Sequence, residues 1–258
     1  MTEIFYKATQ LDGYDWHSKK INYLQNIGKT IKPIEFEQYK NKKQLELCSP
    51  AVLHACKNPL DLFEYASLKS KFFEVTGKPV IHDDTKYGFQ KLKILREIPS
   101  TQLDSLFKFK YSEAINPFDP RTIPPNFDDS VFPILKNWDS VRGSVWDSVW
   151  GSVWGSVWGS VWDSVRDSVR GSVWGSVWGS VWDSVWDSVW DQGYAYIGTL
   201  FPQINSWKYT DKIKAVGYPF NPAIELLQRG LVAGYDSYDK KWFLLGGKKM
   251  EIIWSDTI

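Results

Sequence analysis

Cysteine is nearly absent from this chain of 258 residues: Cys48 and Cys56 are its two. One such close pair cannot staple a small secreted domain, and it suits a reducing compartment. With His54 between them, the cysteines still lack the second ligand pair that a zinc site needs, so neither a metal nor a cofactor is expected. Histidine is as scarce: His17, His54 and His82 leave little acid–base capacity near neutrality. An excess of one charge is missing too, since 31 Lys and Arg against 30 Asp and Glu give a net +1. No strong field therefore points to nucleic acid or to an acidic partner. No apolar run approaches the roughly 20 residues of a membrane span. The opening MTEIFYKATQLDGYDW has no basic segment followed by an apolar one, as a secretory leader would. These absences predict a cytoplasmic protein with no membrane segment.

Tryptophan is what the chain has in excess: 15 residues, ten of them in one stretch. Asp139 to Trp190 is thirteen uninterrupted copies of (Gly/Asp)-Ser-Val-(Trp/Arg). Ser and Val never vary, the first position is Gly seven times and Asp six, and the fourth is Trp except at Arg142, Arg166 and Arg170. A single helix through all of it would carry Gly, Ser and Val at about 0.5–1 kcal/mol each against Ala. On a helix of 3.6 residues per turn a four-residue unit also drifts by about 40° per copy. A disordered coil would not carry so much Val and Trp. The sequence is therefore expected to form a β-solenoid, similar in logic to pentapeptide-repeat solenoids, with extended Val and Trp and a corner at each Gly or Asp. Ser and Val, being invariant among the copies, are assigned to the interior. The fourth position faces outward, because inward Arg would be costly to bury.

That assignment makes the fourth positions the candidate partner surface: Arg142, Trp146, Trp150, Trp154, Trp158, Trp162, Arg166, Arg170, Trp174, Trp178, Trp182, Trp186 and Trp190. An exposed aromatic stripe of that size calls for a cover: a second copy, a protein partner or the chain's own flanking modules, with a homo-oligomer or protein partner expected. Nucleic-acid or glycan binding on the Trp ladder is an alternative that the small number of Arg does not favour.

Ahead of the repeat, Ile4–Thr9 reads as a strand closed by a turn at Asp12-Gly13, and Lys71–Val75 and Lys91–Ile98 read as further strands. Asn58-Pro59 reads as the start of a helix, and Ser100–Phe109 as a second one. The run Leu47-Cys48-Ser49-Pro50-Ala51-Val52-Leu53-His54-Ala55-Cys56-Lys57-Asn58-Pro59-Leu60-Asp61, with Tyr6-Lys7-Ala8 before it and the two strands after it, resembles an uncharacterised domain. That domain recurs in phage and bacterial genomes, often ahead of repeat arrays. The resemblance covers roughly residues 4–98 and departs at Ala51-Val52, where the pattern usually has Gly. It implies a shared domain and no known activity. A fainter likeness is to the ADP-ribosyltransferase fold: the strand 52–56 followed by 59–65 places Tyr65 where that fold stacks a Tyr on nicotinamide. It implies an NAD-like ligand and Tyr6, Lys7, His54 and Tyr65 as candidate ligand residues, with no Glu assignable to catalysis.

Four prolines in Asn116–Pro125 mark a linker or an extended strap. After the repeat, Tyr194–Phe201 is expected to close the last coil. Pro222–Arg229 reads as a helix, and Leu231–Tyr235, Lys241–Leu245 and Met250–Trp254 as three strands. The expected architecture is thus an α+β N-terminal domain (1–116), a Pro-rich linker and cap (117–137), a central β-solenoid of tetrapeptide repeats (138–192) and a small α+β C-terminal cap (193–258). The expected function is binding or scaffolding through the Trp/Arg surface. The alternative is ADP-ribosyltransferase-like or NAD-like ligand binding in the N-terminal domain.

Overall fold

The computed structural model describes residues 3–39, 45–154, 159–171, 183–213 and 217–258. It divides into two compact units, Met1–Phe107 and Lys108–Ile258.

The first unit is built on strands β1 (Phe5–Thr9), β2 (Thr30–Ile31), β3 (Leu53–Cys56), β4 (Lys71–Thr76), β5 (Ile81–His82), β6 (Lys86–Phe89) and β7 (Leu92–Glu97), with helices α1 (Phe36–Tyr39) and α2 (Ser100–Phe107). The strands form one sheet in the order β2-β7-β4-β1-β3-β6-β5, every neighbouring pair antiparallel. Alternation along the strands sends Phe5, Phe73, Val75, Phe89, Leu92 and Ile94 into one fully buried core with Tyr23. On another flank, Phe63, Phe72 and Phe107 pack edge to face or tilted at 4.8–5.9 Å. Phe63 comes from a 3₁₀ turn, Pro59–Glu64, which Asn58 caps by accepting the Leu60 N–H at 3.3 Å. The sequence reading of Asn58 and Pro59 as a helix start is realised there as a tighter turn.

β1 is in register with β4 over five pairs, from Phe5↔Val75 to Thr9↔Lys71. It meets β3 at a single pair, Tyr6↔Cys56. Past that pair, Lys7 and Ala8 part from Ala55 and His54, and the sheet opens.

The second unit contains α3 (Tyr111–Ile115), α4 (Val131–Arg142), α5 (Val145–Trp154), α6 (Gly159–Val169), α7 (Asp183–Thr199), α8 (Asn221–Gln228) and strands β8 (Leu231–Asp236), β9 (Lys241–Gly246) and β10 (Glu251–Asp256). The three strands make an antiparallel sheet ordered β10-β9-β8. The Pro-rich segment is a strap: the Asn126 N–H donates to the Arg229 carbonyl at 2.9 Å. A Cβ on Gly230 would lie 2.6 Å from the Ile123 carbonyl oxygen, and the residue sits at φ +68°, so glycine is required where the strap crosses.

The repeat corrects the solenoid expectation. All of its described residues lie in helices or the turns between them, the sheets of the protein are antiparallel, and no solenoid closes among the described residues. The physical reason is that the array is cut into short helices. Gly143 ends α4, and α5 restarts at Val145. A drift of about 40° per copy ruins a stripe over thirteen copies. Over the two or three copies in one helix it stays within the broad apolar face of an amphipathic helix. Val141, Val145, Val149 and Val153 are buried, as are Val161, Val165 and Val169. Each buried Val returns about 1.5 kcal/mol or more, which offsets much of the deficit of about 0.5–1 kcal/mol that each of the four positions of its unit carries, and buried Trp162 and the stacked Trp rows add to it. A four-residue unit is also the i,i+4 spacing of helix neighbours. Trp146, Trp150 and Trp154 accordingly stack in sequence at 6.3 and 5.4 Å. The helix α7 runs on through Tyr194–Thr199, which the sequence reading assigned to closing a coil.

Candidate ligand site in the first unit

The opening between β1 and β3 holds a cavity of about 200 Å³. Its wall is Lys7 and Ala8 from β1, His54, Ala55 and Cys56 from β3, Leu62, Tyr65 and Ala66 from the 3₁₀ turn and its exit, Asp15, Trp16 and His17 from the loop after β1, and Cys48 and Lys86. A second cavity of about 320 Å³ shares Asp15, His17 and His54 and continues along Ile21, Pro33, Pro50 and Leu53.

Local geometry explains how these groups converge. Gly13 turns the chain at φ +87°, and a Cβ there would sit 2.7 Å from Leu24 Cγ. The turn pairs Thr9 with Asp15. In an antiparallel pair opposite residues share a face, so Asp15 points the way of Thr9 and, two residues back, Lys7. The Lys7 ammonium reaches the Asp15 carboxylate at 2.6 Å, with both side chains close to nine-tenths buried. The other Asp15 oxygen accepts the backbone N–H groups of Ser18 at 2.8 Å and His17 at 3.0 Å. Trp16 is pinned by donating its indole N–H to Ser70 Oγ at 3.1 Å.

These contacts fix the charge states. Burial alone would raise the Asp15 pKa, but the Lys7 charge, its hydrogen bond and the two backbone donors bring it down to about 2. Burial would discharge Lys7, and Tyr23 and Asp15 overcome that, so its pKa is raised. His54 is lowered, first by burial and then by the charges of Lys7 and Lys86, against the Leu47 carbonyl that its Nε2 meets. Its imidazole is therefore neutral near pH 7, and the Nε2–H that donates to Leu47 leaves Nδ1 as an acceptor. The Cys56 thiol is pushed up to about 12 by burial and by Asp61, so it stays protonated and unreactive. At the rim the Lys86 ammonium sits 3.8 Å from the centroid of the Tyr65 ring and 3.6 Å from Cys48 Sγ. Tyr65 is 41 % exposed, and its hydroxyl meets Thr85 Oγ1 at 2.6 Å.

The site therefore presents the Lys86 ammonium at its rim, the Lys7–Asp15 ion pair in its wall, a neutral imidazole and the rings of Trp16 and Tyr65. A flat ring fits against Tyr65 and Trp16, and the Lys86 ammonium is the group there that favours a negative charge. No group of three or more metal-ligating side chains occurs among the described residues.

Of the sequence-derived ligand candidates, Lys7, His54 and Tyr65 line the cavity. Tyr6 does not line it, because strand alternation turns it to the face opposite Lys7. Asp15, Trp16 and Lys86 also line it and are outside the sequence-derived set. Asp15 follows the Asp12-Gly13 turn closely enough to have been placed beside Lys7, but nothing local marks Trp16 or Lys86.

The partner candidates are dispersed. Trp146, Trp150 and Trp154 form one half-exposed row on α5. Trp162 is fully buried, against Tyr194 and Trp146. Arg142 stacks over Tyr235 and Trp242 at 4.4 and 5.3 Å, Arg166 pairs with Asp163 and Asp167, and Arg170 lies 5.6 Å from the Trp190 ring. Trp186 is in α7. Trp158, Trp174, Trp178 and Trp182 lie outside the described residues.

The family described as Domain of unknown function (DUF7666) matches residues 30–106. An uncharacterised domain thus occupies the N-terminal region. The matched span takes in His54, Tyr65 and Lys86 of the cavity and leaves out Lys7, Asp15 and Trp16. Among curated proteins and among solved structures, nothing matches the chain. No described helix is long and apolar enough to cross a membrane.

Proposed function

We propose that the first unit is a binding module for a dinucleotide-type ligand, with NAD as the first compound to test. The observation that carries this reading is the split between β1 and β3, which opens a sheet at its centre and lines the gap with Lys7, His54, Tyr65 and Lys86. Two adjoining cavities meet at Asp15, His17 and His54, so a ligand with two linked halves fits them better than a compact one. Tyr65, arriving after β3 and its 3₁₀ turn, is where the ADP-ribosyltransferase likeness places a ring-stacking Tyr. Binding is the extent of the proposal: the Cys56 thiol is held protonated by burial and the His54 imidazole is engaged with Leu47.

Calorimetric titration and thermal shift of the full chain with NAD, ADP and ADP-ribose test this. A bound ring stacked on Tyr65 is worth about 1–3 kcal/mol, so Tyr65→Ala should weaken binding about tenfold. Absence of a shift at millimolar NAD and ADP-ribose, or binding untouched by Tyr65→Ala and Lys86→Ala, overturns the reading.

A second surface supports a second, separate role. The Trp146–Trp150–Trp154 row is about 40 % exposed at each residue, and its rings stack into one contiguous apolar stripe. Its neighbours among the Arg residues are stacked or acid-paired, which favours a protein partner over a phosphate backbone. Loss of a captured partner on Trp150→Ser, with the fold intact by circular dichroism, is the expected result.

A further inference from the structure

The second unit holds a cavity of its own, of about 470 Å³. That volume is within the range of small-molecule sites, roughly 300–1,000 Å³. Its apolar side is Phe118 of the Pro-rich strap with Ile224 and Leu227 of α8. The Lys110 N–H donates to the Leu200 carbonyl at 2.8 Å, which fastens the start of α3 to the end of α7 and sets Lys110 and Glu113 at the cavity. Their ammonium and carboxylate lie 3.2 Å apart, with side chains 38 % and 46 % exposed. A pair that exposed contributes little by itself, so a ligand can take over either partner. Tyr196, from the last turn of α7, is 8 % exposed. Its hydroxyl oxygen accepts the Phe118 N–H at 3.0 Å, and no acceptor for its own proton occurs among the described residues. Burial, with the Glu113 charge adding to it, raises the Tyr196 pKa, so the hydroxyl stays a donor at neutral pH. A donor buried in a cavity wall and left unspent is costly unless an acceptor reaches it.

We propose that this cavity binds a free apolar α-amino acid, with its carboxylate on Lys110 and the Tyr196 hydroxyl, its ammonium on Glu113, and its side chain against Phe118, Ile224 and Leu227. Both charge signs are present and adjacent, so the site matches a ligand that carries both and has no net charge. In an α-amino acid the two charged groups hang on one carbon, which puts the nitrogen and the nearer oxygen about 3 Å apart by standard bond lengths. Lys110 Nζ and Glu113 Oε1 are 3.2 Å apart, so the two can be met by one ligand head. Asn116 at the rim adds an amide donor for the carboxylate. The last turns of α7 and α8 also line the cavity, and helix C-termini favour positive charge, here the ligand's ammonium. A simple carboxylate would face Glu113 unpaired. A simple amine would leave Lys110 and the Tyr196 proton unanswered.

Calorimetric titration of the full chain with L-phenylalanine tests this. A saturable isotherm with a Kd of about 1 mM or tighter is expected. Phenethylamine, which lacks the carboxylate, and 3-phenylpropanoate, which lacks the ammonium, should each bind about tenfold more weakly, because each loses one charge-assisted contact. Lys110→Gln and Glu113→Gln should each weaken L-phenylalanine by a similar factor. Both positions are exposed enough for these variants to keep the fold, which far-UV circular dichroism checks. Ile224→Trp fills the cavity from a half-buried position and should abolish binding. No saturable heat with L-phenylalanine or L-leucine at about 20 mM overturns the proposal. So do analogues that bind as well as the parent amino acid. So does binding that Tyr65→Ala removes and Lys110→Gln leaves intact, which would put the ligand in the first unit.

Discussion

Removing the charge of Asp15 while keeping its shape puts the electrostatic reading of the cavity at risk. In Asp15→Asn the amide oxygen can still accept the Ser18 and His17 N–H groups, so the loop keeps its local bonds. The Lys7 ammonium, however, loses its counter-charge at 2.6 Å in a place where its side chain is about nine-tenths buried. Breaking a buried pair from one side costs about 3–5 kcal/mol, because a charge is left without a partner. Lys7→Met leaves a carboxylate that two backbone donors still hold, and it should cost less. The double variant should recover most of the loss. The pH dependence has a definite sign. The Asp15 pKa is depressed to about 2 in the folded state. Its stabilisation is therefore fully present above the ordinary carboxylate value near 4 and is lost as pH falls toward 2. A shift of nearly two units corresponds to roughly 2.5 kcal/mol. Urea denaturation followed by near-UV circular dichroism, repeated from pH 7 to pH 2, reads both effects. A single Asp15→Asn variant within about 1 kcal/mol of wild type at pH 7, with the same acid profile, would refute the argument that the pair is buried and coupled.

Two further outcomes follow from the second unit. Val149 is fully buried on α5, so Val149→Ala should lower stability by about 1–3 kcal/mol, whereas Trp150→Ser on the exposed side should change it much less; paired melting curves separate the two faces. Gln192 is fully buried, with its carbonyl oxygen accepting the Ala233 N–H at 2.6 Å and its amide reaching the Ala223 carbonyl at 3.5 Å. Gln192→Leu should cost about 1–3 kcal/mol by orphaning the Ala233 donor, and hydrogen exchange at Ala233 should rise.

The strands β1, β4 and β7, the helix α2 and the hairpins of β8 to β10 were legible because period-2 alternation and turn residues are local signals. Asn58 was legible as a cap for the same reason. β5 and β6 were not, since Ile81–His82 is two residues long and Lys86–Phe89 contains a Gly. In the site, Lys7, His54 and Tyr65 came from a likeness of layout. Lys86 owes its place to pairing between β3 and β6, which puts Cys56 opposite it. No pattern around residue 86 announces a partner thirty positions away.

The tetrapeptide array is ambiguous for a different reason. Its unit length fits an extended corner and a helical i,i+4 step equally, so the repeat itself does not choose between them. Over the length of the whole array, taken as one element, both the drift and the summed propensity deficit count heavily against a helix. Once the array is cut at Gly143 and α5 starts afresh, drift no longer accumulates, and the comparison is made per helix. The invariant Val then forms an inner row whichever backbone is assumed, and Trp146, Trp150 and Trp154 form an outer one. Assigning faces from internal variation depends on which positions share an environment, and that is common to both folds. It fails at Trp162, which is buried like a Val although it occupies the same place in its unit as exposed Trp150. Helices that pack on more than one neighbour have no single outside, and an identical unit takes its environment from what lies against it.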